Sequence, residues 1–166
     1  HMATMLSFVL TDAAVQPGCL RTLLKRACDR TFNCISVDGC MSTNDTVIIL
    51  ANGKAGNRPL TESSKELRRF ELALTGVMEG LARSIVRDGE GATKVIEIVV
   101  QGARNERHAR RVAYGIANSN LVKTAFFGRD PNWGRVIAAI GASGVPVTPE
   151  SIEVLYDDLR LFRKGC

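Results

Sequence analysis

Between Ser63 and Arg87 the apolar residues Leu67, Phe70, Leu74, Val77, Met78, Leu81 and Ile85 recur at three- and four-residue spacing. That period lines them along one stripe of a long helix, and a stripe of that length has to be buried against a second layer. Ser63 and Glu66 form a capping-box pattern at the start, and Asp88-Gly89-Glu90-Gly91 stops the run. The flanking segments supply the layer. Thr46-Val47-Ile48-Ile49-Leu50-Ala51 is a nearly continuous apolar run closed by Asn52-Gly53, which predicts a strand buried on both faces. Residues 94–100 predict another strand. Strands alternating with a long amphipathic helix place the chain in the α/β class.

The remaining segments extend the pattern. Residues 5–10 predict a strand, and Leu20, Leu23, Leu24, Ala27 and Cys28 recur at helical spacing after Pro17-Gly18. A helix is expected over residues 105–117, with Val112, Ala113 and Ile116 inward and Arg107, Arg110 and Arg111 on a solvated face. Residues 122–127 predict a strand. Asp130-Pro131-Asn132 predicts a turn into a helix through Val136, Ile137 and Ile140, closed by Gly141 and Gly144. Residues 152–155 and 159–162 predict a hairpin around Tyr156-Asp157-Asp158. Two parts follow from this order: residues 1–93 and a smaller α/β lobe over residues 94–166. A terminal hairpin normally gains further strands, so the second lobe is expected to be incomplete at its C-terminus.

Composition narrows the function classes. With 166 residues and 45% apolar content, the chain has the make-up of a globular protein. Apolar runs such as Val95-Ile96-Glu97-Ile98-Val99-Val100 are interrupted by charge long before a membrane span is complete, so no membrane segment is expected. No basic-then-apolar leader is visible, and His1-Met2 resembles a cloning remnant. The formal charge of +5 is scattered and only 5% of residues are aromatic, which argues against a nucleic-acid partner. Five cysteines with no C-x-x-C pair fit reduced thiols and predict neither a disulfide framework nor a metal site. With His1 set aside, His108 is the only imidazole, and it lies in an Arg-rich stretch. Acyl-transfer chemistry here needs a base of another kind.

Thr4, in Ala3-Thr4-Met5-Leu6, offers one. Cutting the Ala3-Thr4 bond would make Thr4 a terminal residue whose own α-amino group, with an ordinary pKa near 8, can act as base for its hydroxyl. Three further clusters carry polar chemistry. Asp38-Gly39-Cys40-Met41-Ser42-Thr43-Asn44-Asp45 is either a loop stapled by Asx and Ser/Thr turns or a wall of hydrogen-bonding groups beside a site. Glu90, between Gly89 and Gly91, is either part of a helix-ending turn or a carboxylate presented to a substrate ammonium. Around the sole tryptophan, the stretch from Asn118 to Arg135 includes Lys123, Asn132 and Arg135; alone it names no reaction.

Taken together, Ala3-Thr4-Met5-Leu6, Thr31-Phe32-Asn33 through Val37-Asp38-Gly39, Ser42-Thr43-Asn44-Asp45, Asp88-Gly89-Glu90-Gly91-Ala92-Thr93-Lys94, and Leu121-Val122-Lys123-Thr124-Ala125 to Asp130-Pro131-Asn132-Trp133-Gly134-Arg135 are distinctive in order and spacing. They closely resemble the β chain of the ornithine acetyltransferase family of arginine biosynthesis. The resemblance covers nearly the whole chain. It implies an αββα sandwich of the self-processing aminopeptidase type with an added α/β lobe, and a precursor that cuts itself between Ala3 and Thr4. It implies an α chain from the same precursor as partner, in a heterotetramer of two α and two β chains. Thr4 is then the nucleophile that carries an acetyl group from N-acetylornithine to glutamate, and Glu90 the substrate-binding carboxylate. Asp38, Ser42, Thr43, Asn44, Lys123, Asn132 and Arg135 are candidate wall residues. No metal or bound cofactor is implied; some members use acetyl-CoA as a further acetyl donor. The compartment expected is the cytoplasm for a bacterial protein and the mitochondrion or plastid for a eukaryotic one.

Three departures bear on that expectation. Cys40 stands where an acidic residue is expected, the chain stops before the family's final strands, and His1-Met2-Ala3 leaves Thr4 with an amide in place of an amine. The isolated polypeptide is therefore expected to be inactive. Two alternatives stand beside the transferase: an aminopeptidase of the related fold, and a non-catalytic interaction module that keeps the fold alone.

Overall fold

The computed structural model describes residues 5–163. Its elements are β1 (Leu6–Thr11), α1 (Pro17–Arg30), β2 (Thr46–Ala51), α2 (Leu67–Arg87), α3 (Glu106–Ala117), α4 (Asn120–Phe127), α5 (Trp133–Ala142), β3 (Glu153–Tyr156) and β4 (Leu159–Arg163). They form two compact units, His1–Ala92 and Thr93–Cys166. The chain is of the mixed α/β class that the alternation of segments predicts.

In the first unit β1 and β2 run parallel, from Leu6 opposite Thr46 to Thr11 opposite Ala51, with α1 in the connection between them. Val9 of β1 is buried in one core with Leu23 and Ala27 of α1 and Leu74, Met78 and Ala82 of α2. Strand side chains alternate between faces, so only every second residue reaches those helices. Val47 and Ile49 pack against the core, whereas Phe8 is 58% and Leu10 75% exposed on the opposite face with Leu6, Ile48 and Leu50. The expectation that β2 is buried on both faces is thus corrected: the helices cover one face, and among the described residues no second layer covers the other.

The long helix also departs from its sequence pattern in two respects. It begins at Leu67, because Ser63 and Ser64 serve the preceding turn: the Thr61 amide donates to Ser64 Oγ at 2.9 Å, and the hydroxyls of Thr61 and Ser63 lie 3.0 Å apart. No side chain caps its first turn. The buried stripe runs through Glu71, Leu74, Met78 and Ala82, leaving Val77 55% exposed. Glu71, only 8% exposed, sits in that stripe with Arg68 Nη1 3.5 Å from its carboxylate, and hydropathy alone could not place it there.

The second unit packs α3, α4 and α5 with the β3–β4 hairpin around Val112, Ile116, Val122, Val136, Ile140, Val154 and Phe162. Gly115 lets α3 and α5 approach: a Cβ there would lie 3.2 Å from the Ala139 carbonyl and 3.2 Å from Ser143 Cβ. Trp133 stacks on Phe162 with ring centroids 4.8 Å apart. The strand expected over residues 122–127 is instead α4. Ser119 Oγ accepts the Val122 amide at 3.3 Å, and Val122 and Ala125, three residues apart, are both buried. The β propensity of Val, Thr and Phe yields here to an N-cap and to packing on one helical face.

The strand expected over residues 94–100 is also absent. Ile98 and Val100 lie against the core, but the segment pairs with no strand among the described residues, and strand character needs a neighbouring ladder. Residues 94–104 line one side of an open cavity of about 980 Å³, and residues 152–157 contribute to its other side. The predicted hairpin forms, with a register irregularity between Val154 and Leu155 and Asp157 at φ +52° in its turn.

Candidate functional site

Ala3 and Thr4, the predicted cleavage site and nucleophile, lie outside the described residues. The described frame begins at Met5. The Met5 amide donates to Asp45 Oδ1 at 2.9 Å, and the Met5 carbonyl accepts the Thr46 amide at 2.8 Å, which opens the β1–β2 ladder. The Met5 side chain packs against the core of the first unit. Asp45 uses its second oxygen as well, Oδ2 accepting the Ser42 amide at 3.3 Å. One carboxylate thus ties the residue after Thr4 to the loop that precedes β2.

The candidate wall residues of that loop are largely engaged with one another. Asp38 Oδ1 accepts the Cys40 amide at 2.8 Å, an Asx turn completed by Gly39 at φ +81°. Ser42 Oγ accepts the Asn44 amide at 3.1 Å, and Thr43 Oγ1 donates to Asn44 Oδ1 at 3.2 Å. Thr46 Oγ1 donates to the Asn44 carbonyl at 3.0 Å. These bonds shape the loop. Its tether to β1 is Asp45, which sequence reasoning did not single out. The available signal was the spacing Ser42-x-x-Asp45, in which a carboxylate can accept an amide three residues back.

Glu90 is exposed in the turn that follows α2. Two glycines set its position. A Cβ on Gly89 would lie 3.1 Å from Val37 Cγ1 and 3.3 Å from the Val86 carbonyl, so the turn sits tightly against the segment leading to Asp38. Gly91 adopts φ +70°, a conformation that suits glycine. The Gly89 carbonyl accepts the Ala92 amide at 2.9 Å. Among the described residues the Glu90 carboxylate has no ion-pair or hydrogen-bond partner.

Lys123, Asn132 and Arg135 belong to the second unit. Lys123 is half-buried on α4. Asn132 is the N-cap of α5: its Oδ1 accepts the Arg135 amide at 3.2 Å, and its Nδ2 donates to Asp130 Oδ2 at 2.9 Å. Arg135 Nη1 donates to the Leu121 carbonyl at 2.9 Å and to Thr124 Oγ1 at 3.1 Å, which ties α5 to α4. The structure therefore accounts for Asn132 and Arg135 by local architecture.

Two of the cysteines are poor candidate nucleophiles. Burial pushes the Cys19 and Cys28 thiols up from their ordinary range, away from the reactive thiolate. Among the described residues no cluster of three or more His, Cys, Asp or Glu is placed to hold a metal ion. No helix among them is long and apolar enough to cross a membrane.

The first unit is thus a parallel strand pair backed by helices, with Met5 anchored at its entrance. The chain belongs to the ArgJ family, which it matches over residues 1–166. It is 54% identical over 165 residues to the arginine biosynthesis bifunctional protein ArgJ of Geobacter sulfurreducens, a match spanning 99% of this chain and 42% of that relative. The protein of the same description from Symbiobacterium thermophilum is 52% identical over 99% of this chain and 41% of its own length. The crystal structure of arginine biosynthesis bifunctional protein argJ from Bacillus halodurans superimposes with a TM-score of 0.94 at 47% identity, over 98% of this chain and 76% of that chain. The chain thus spans well under half the length of these two curated relatives.

Proposed function

We propose that this chain is the nucleophile-bearing part of a glutamate N-acetyltransferase that moves an acetyl group from N-acetylornithine to glutamate through an acetyl-Thr4 intermediate. The observation that carries the reading is the match of the whole chain to the ArgJ family, with Thr4 one peptide bond before the anchored Met5. Cleavage of Ala3-Thr4 in a longer precursor frees the α-amino group. In the first step this amine takes the proton from Thr4 Oγ as the oxygen attacks the acetyl carbonyl; the C–N bond breaks, and the proton passes to the departing ornithine nitrogen. In the second step the neutral amine of glutamate attacks the acetyl carbon of the ester; the C–Oγ bond breaks, and the proton lost by the glutamate nitrogen passes through the Thr4 amine to Oγ. Glu90, exposed and without a partner among the described residues, suits an ammonium group of the substrate.

Acetyl-CoA is a second donor compatible with the same acetyl-Thr4 ester, and the relatives' bacterial origin supports a cytoplasmic setting for the reaction. The first unit would carry the nucleophile and the second unit the smaller α/β lobe. Incubating the processed enzyme, made together with its α chain, with N-acetylornithine in the absence of glutamate should add one acetyl group to Thr4, read by peptide mass spectrometry. An enzyme that turns over with acetyl never found on Thr4 would refute the reading.

The α chain is the partner, and its surface is the uncovered face of the β1–β2 pair. Leu6, Phe8, Leu10, Ile48 and Leu50 present a contiguous apolar set of the kind a second sheet covers in a sandwich. Phe8→Asp places a charge at that face without touching the core beneath Val9. The expected result is a β chain that folds but loses association with the α chain by about a hundredfold or more. Co-purification and sedimentation give the readout, and retention of the wild-type assembly would remove this face as the contact.

A further inference from the structure

We infer that Asp45 is a positioning residue for the Thr4 nucleophile, in cleavage of the precursor as well as in acetyl transfer. The inference rests on the functional reading above. Its structural basis is the double attachment of Met5, by its amide to Asp45 Oδ1 at 2.9 Å and by its carbonyl to the Thr46 amide at 2.8 Å. The peptide unit is planar, so a fixed Met5 N–H restrains rotation of the peptide bond that precedes it. Without the Asp45 contact, the first ladder bond is the Met5 carbonyl alone, and the peptide unit before it is free to turn.

Asp45 is itself held. Its second oxygen accepts the Ser42 amide at 3.3 Å, and the flanking residues are tied by Ser42 Oγ to the Asn44 amide and by Thr46 Oγ1 to the Asn44 carbonyl. The carboxylate is therefore a fixed point on a stapled loop. Both reactions assigned to Thr4 begin from the same atom. In the precursor Thr4 Oγ attacks the Ala3 carbonyl, the Ala3–Thr4 C–N bond breaks to leave an ester and a free amine, and water hydrolyses the ester to release the Ala3 carboxylate. In the mature enzyme Thr4 Oγ attacks the acetyl carbonyl. A reacting atom displaced by about 1 Å can lose about a hundredfold in rate, so a fixed Met5 amide bears on both steps.

The experiment compares wild-type, Asp45→Ala, Asp45→Asn and Asp45→Glu precursors for the rate of cleavage at Ala3-Thr4, and the processed enzymes for kcat and KM with N-acetylornithine. Asp45→Ala should slow cleavage and lower kcat by at least about tenfold, with KM within about twofold of wild type. Asp45→Asn keeps an acceptor oxygen at the same place and should restore most of both rates. Asp45→Glu keeps the charge but moves the oxygens by a methylene, and should remain impaired. Should Asp45→Ala fail to fold, the Asn and Glu variants decide the matter between them. Wild-type rates in Asp45→Ala, a rise in KM with kcat unchanged, or a reversed order in which Glu restores activity and Asn does not would each overturn the inference. Failure of the functional reading would show separately, as absence of acetyl-Thr4 from the wild-type enzyme.

Discussion

Thr4→Ala leaves the precursor uncut at Ala3-Thr4 and lowers acetyl transfer by at least about three orders of magnitude. The loss is expected to be this large because, on the proposed function, one residue would supply both the attacking oxygen and, once it is terminal, the base that activates it. Alanine keeps neither the oxygen nor, in an uncut chain, the free amine. Thr4→Ser, which retains a hydroxyl, should be cut and active, though more slowly, since serine lacks the methyl group that restricts χ1 of threonine. Electrophoresis of the freshly made precursor and a steady-state assay of the purified product give both readouts. Normal transfer by Thr4→Ala would end the assignment of Thr4.

Glu90→Ala raises KM for the amino-acid substrate by roughly 10- to 150-fold, the equivalent of losing a hydrogen bond to a charged group worth about 1.5–3 kcal/mol. The expected effect is on binding, because the carboxylate is exposed and has no partner among the described residues, so its removal leaves nothing in the fold unsatisfied. Thermal unfolding should shift by no more than about 1–2 °C, in keeping with a surface substitution away from caps and packing. The neighbouring glycine should behave in the opposite manner. Gly89 is buried, and a Cβ there would meet Val37 Cγ1 at 3.1 Å and the Val86 carbonyl at 3.3 Å, so its substitution would require these neighbours to give by a few tenths of an ångström. A marked loss of stability in Glu90→Ala with unchanged KM would make Glu90 structural.

The elements whose local pattern and tertiary role agree were legible from the chain. β1, α1, α2 and α3 each pair a clear period with a helix or strand boundary, and β2 was legible as a strand though not in which face it buries; the parallel pairing of β1 with β2 across α1 follows the α/β order. Errors arose where composition and packing diverge. Residues 122–127 are rich in Val, Thr and Phe, yet Ser119 caps a helix there and the second unit buries Val122 and Ala125 on one side. Residues 94–100 have strand composition without a strand partner among the described residues. The Ser63–Glu66 capping pattern lost to a competing turn, because the same hydroxyls can serve Thr61. Among the candidate wall residues, Asn132 caps its own helix and the Arg135 side chain ties α5 to α4, a use that spacing alone cannot separate from a ligand contact.

By itself the sequence determined the α/β class, the strand that opens the first unit and the presentation of Glu90 between two glycines. These are matters of order, period and backbone freedom, which a linear chain carries explicitly. Only the tertiary structure decided which face of the β1–β2 pair is covered: the helices pack on the face of Ser7, Val9, Val47 and Ile49 and leave the more apolar face of Leu6, Phe8, Leu10, Ile48 and Leu50 exposed, a choice that composition would have reversed. It also decided that Asp45, forty residues from Met5 in the chain, holds the amide next to Thr4. A hydrogen bond of that separation depends on the register of two parallel strands, and register is set by the packed core beneath them.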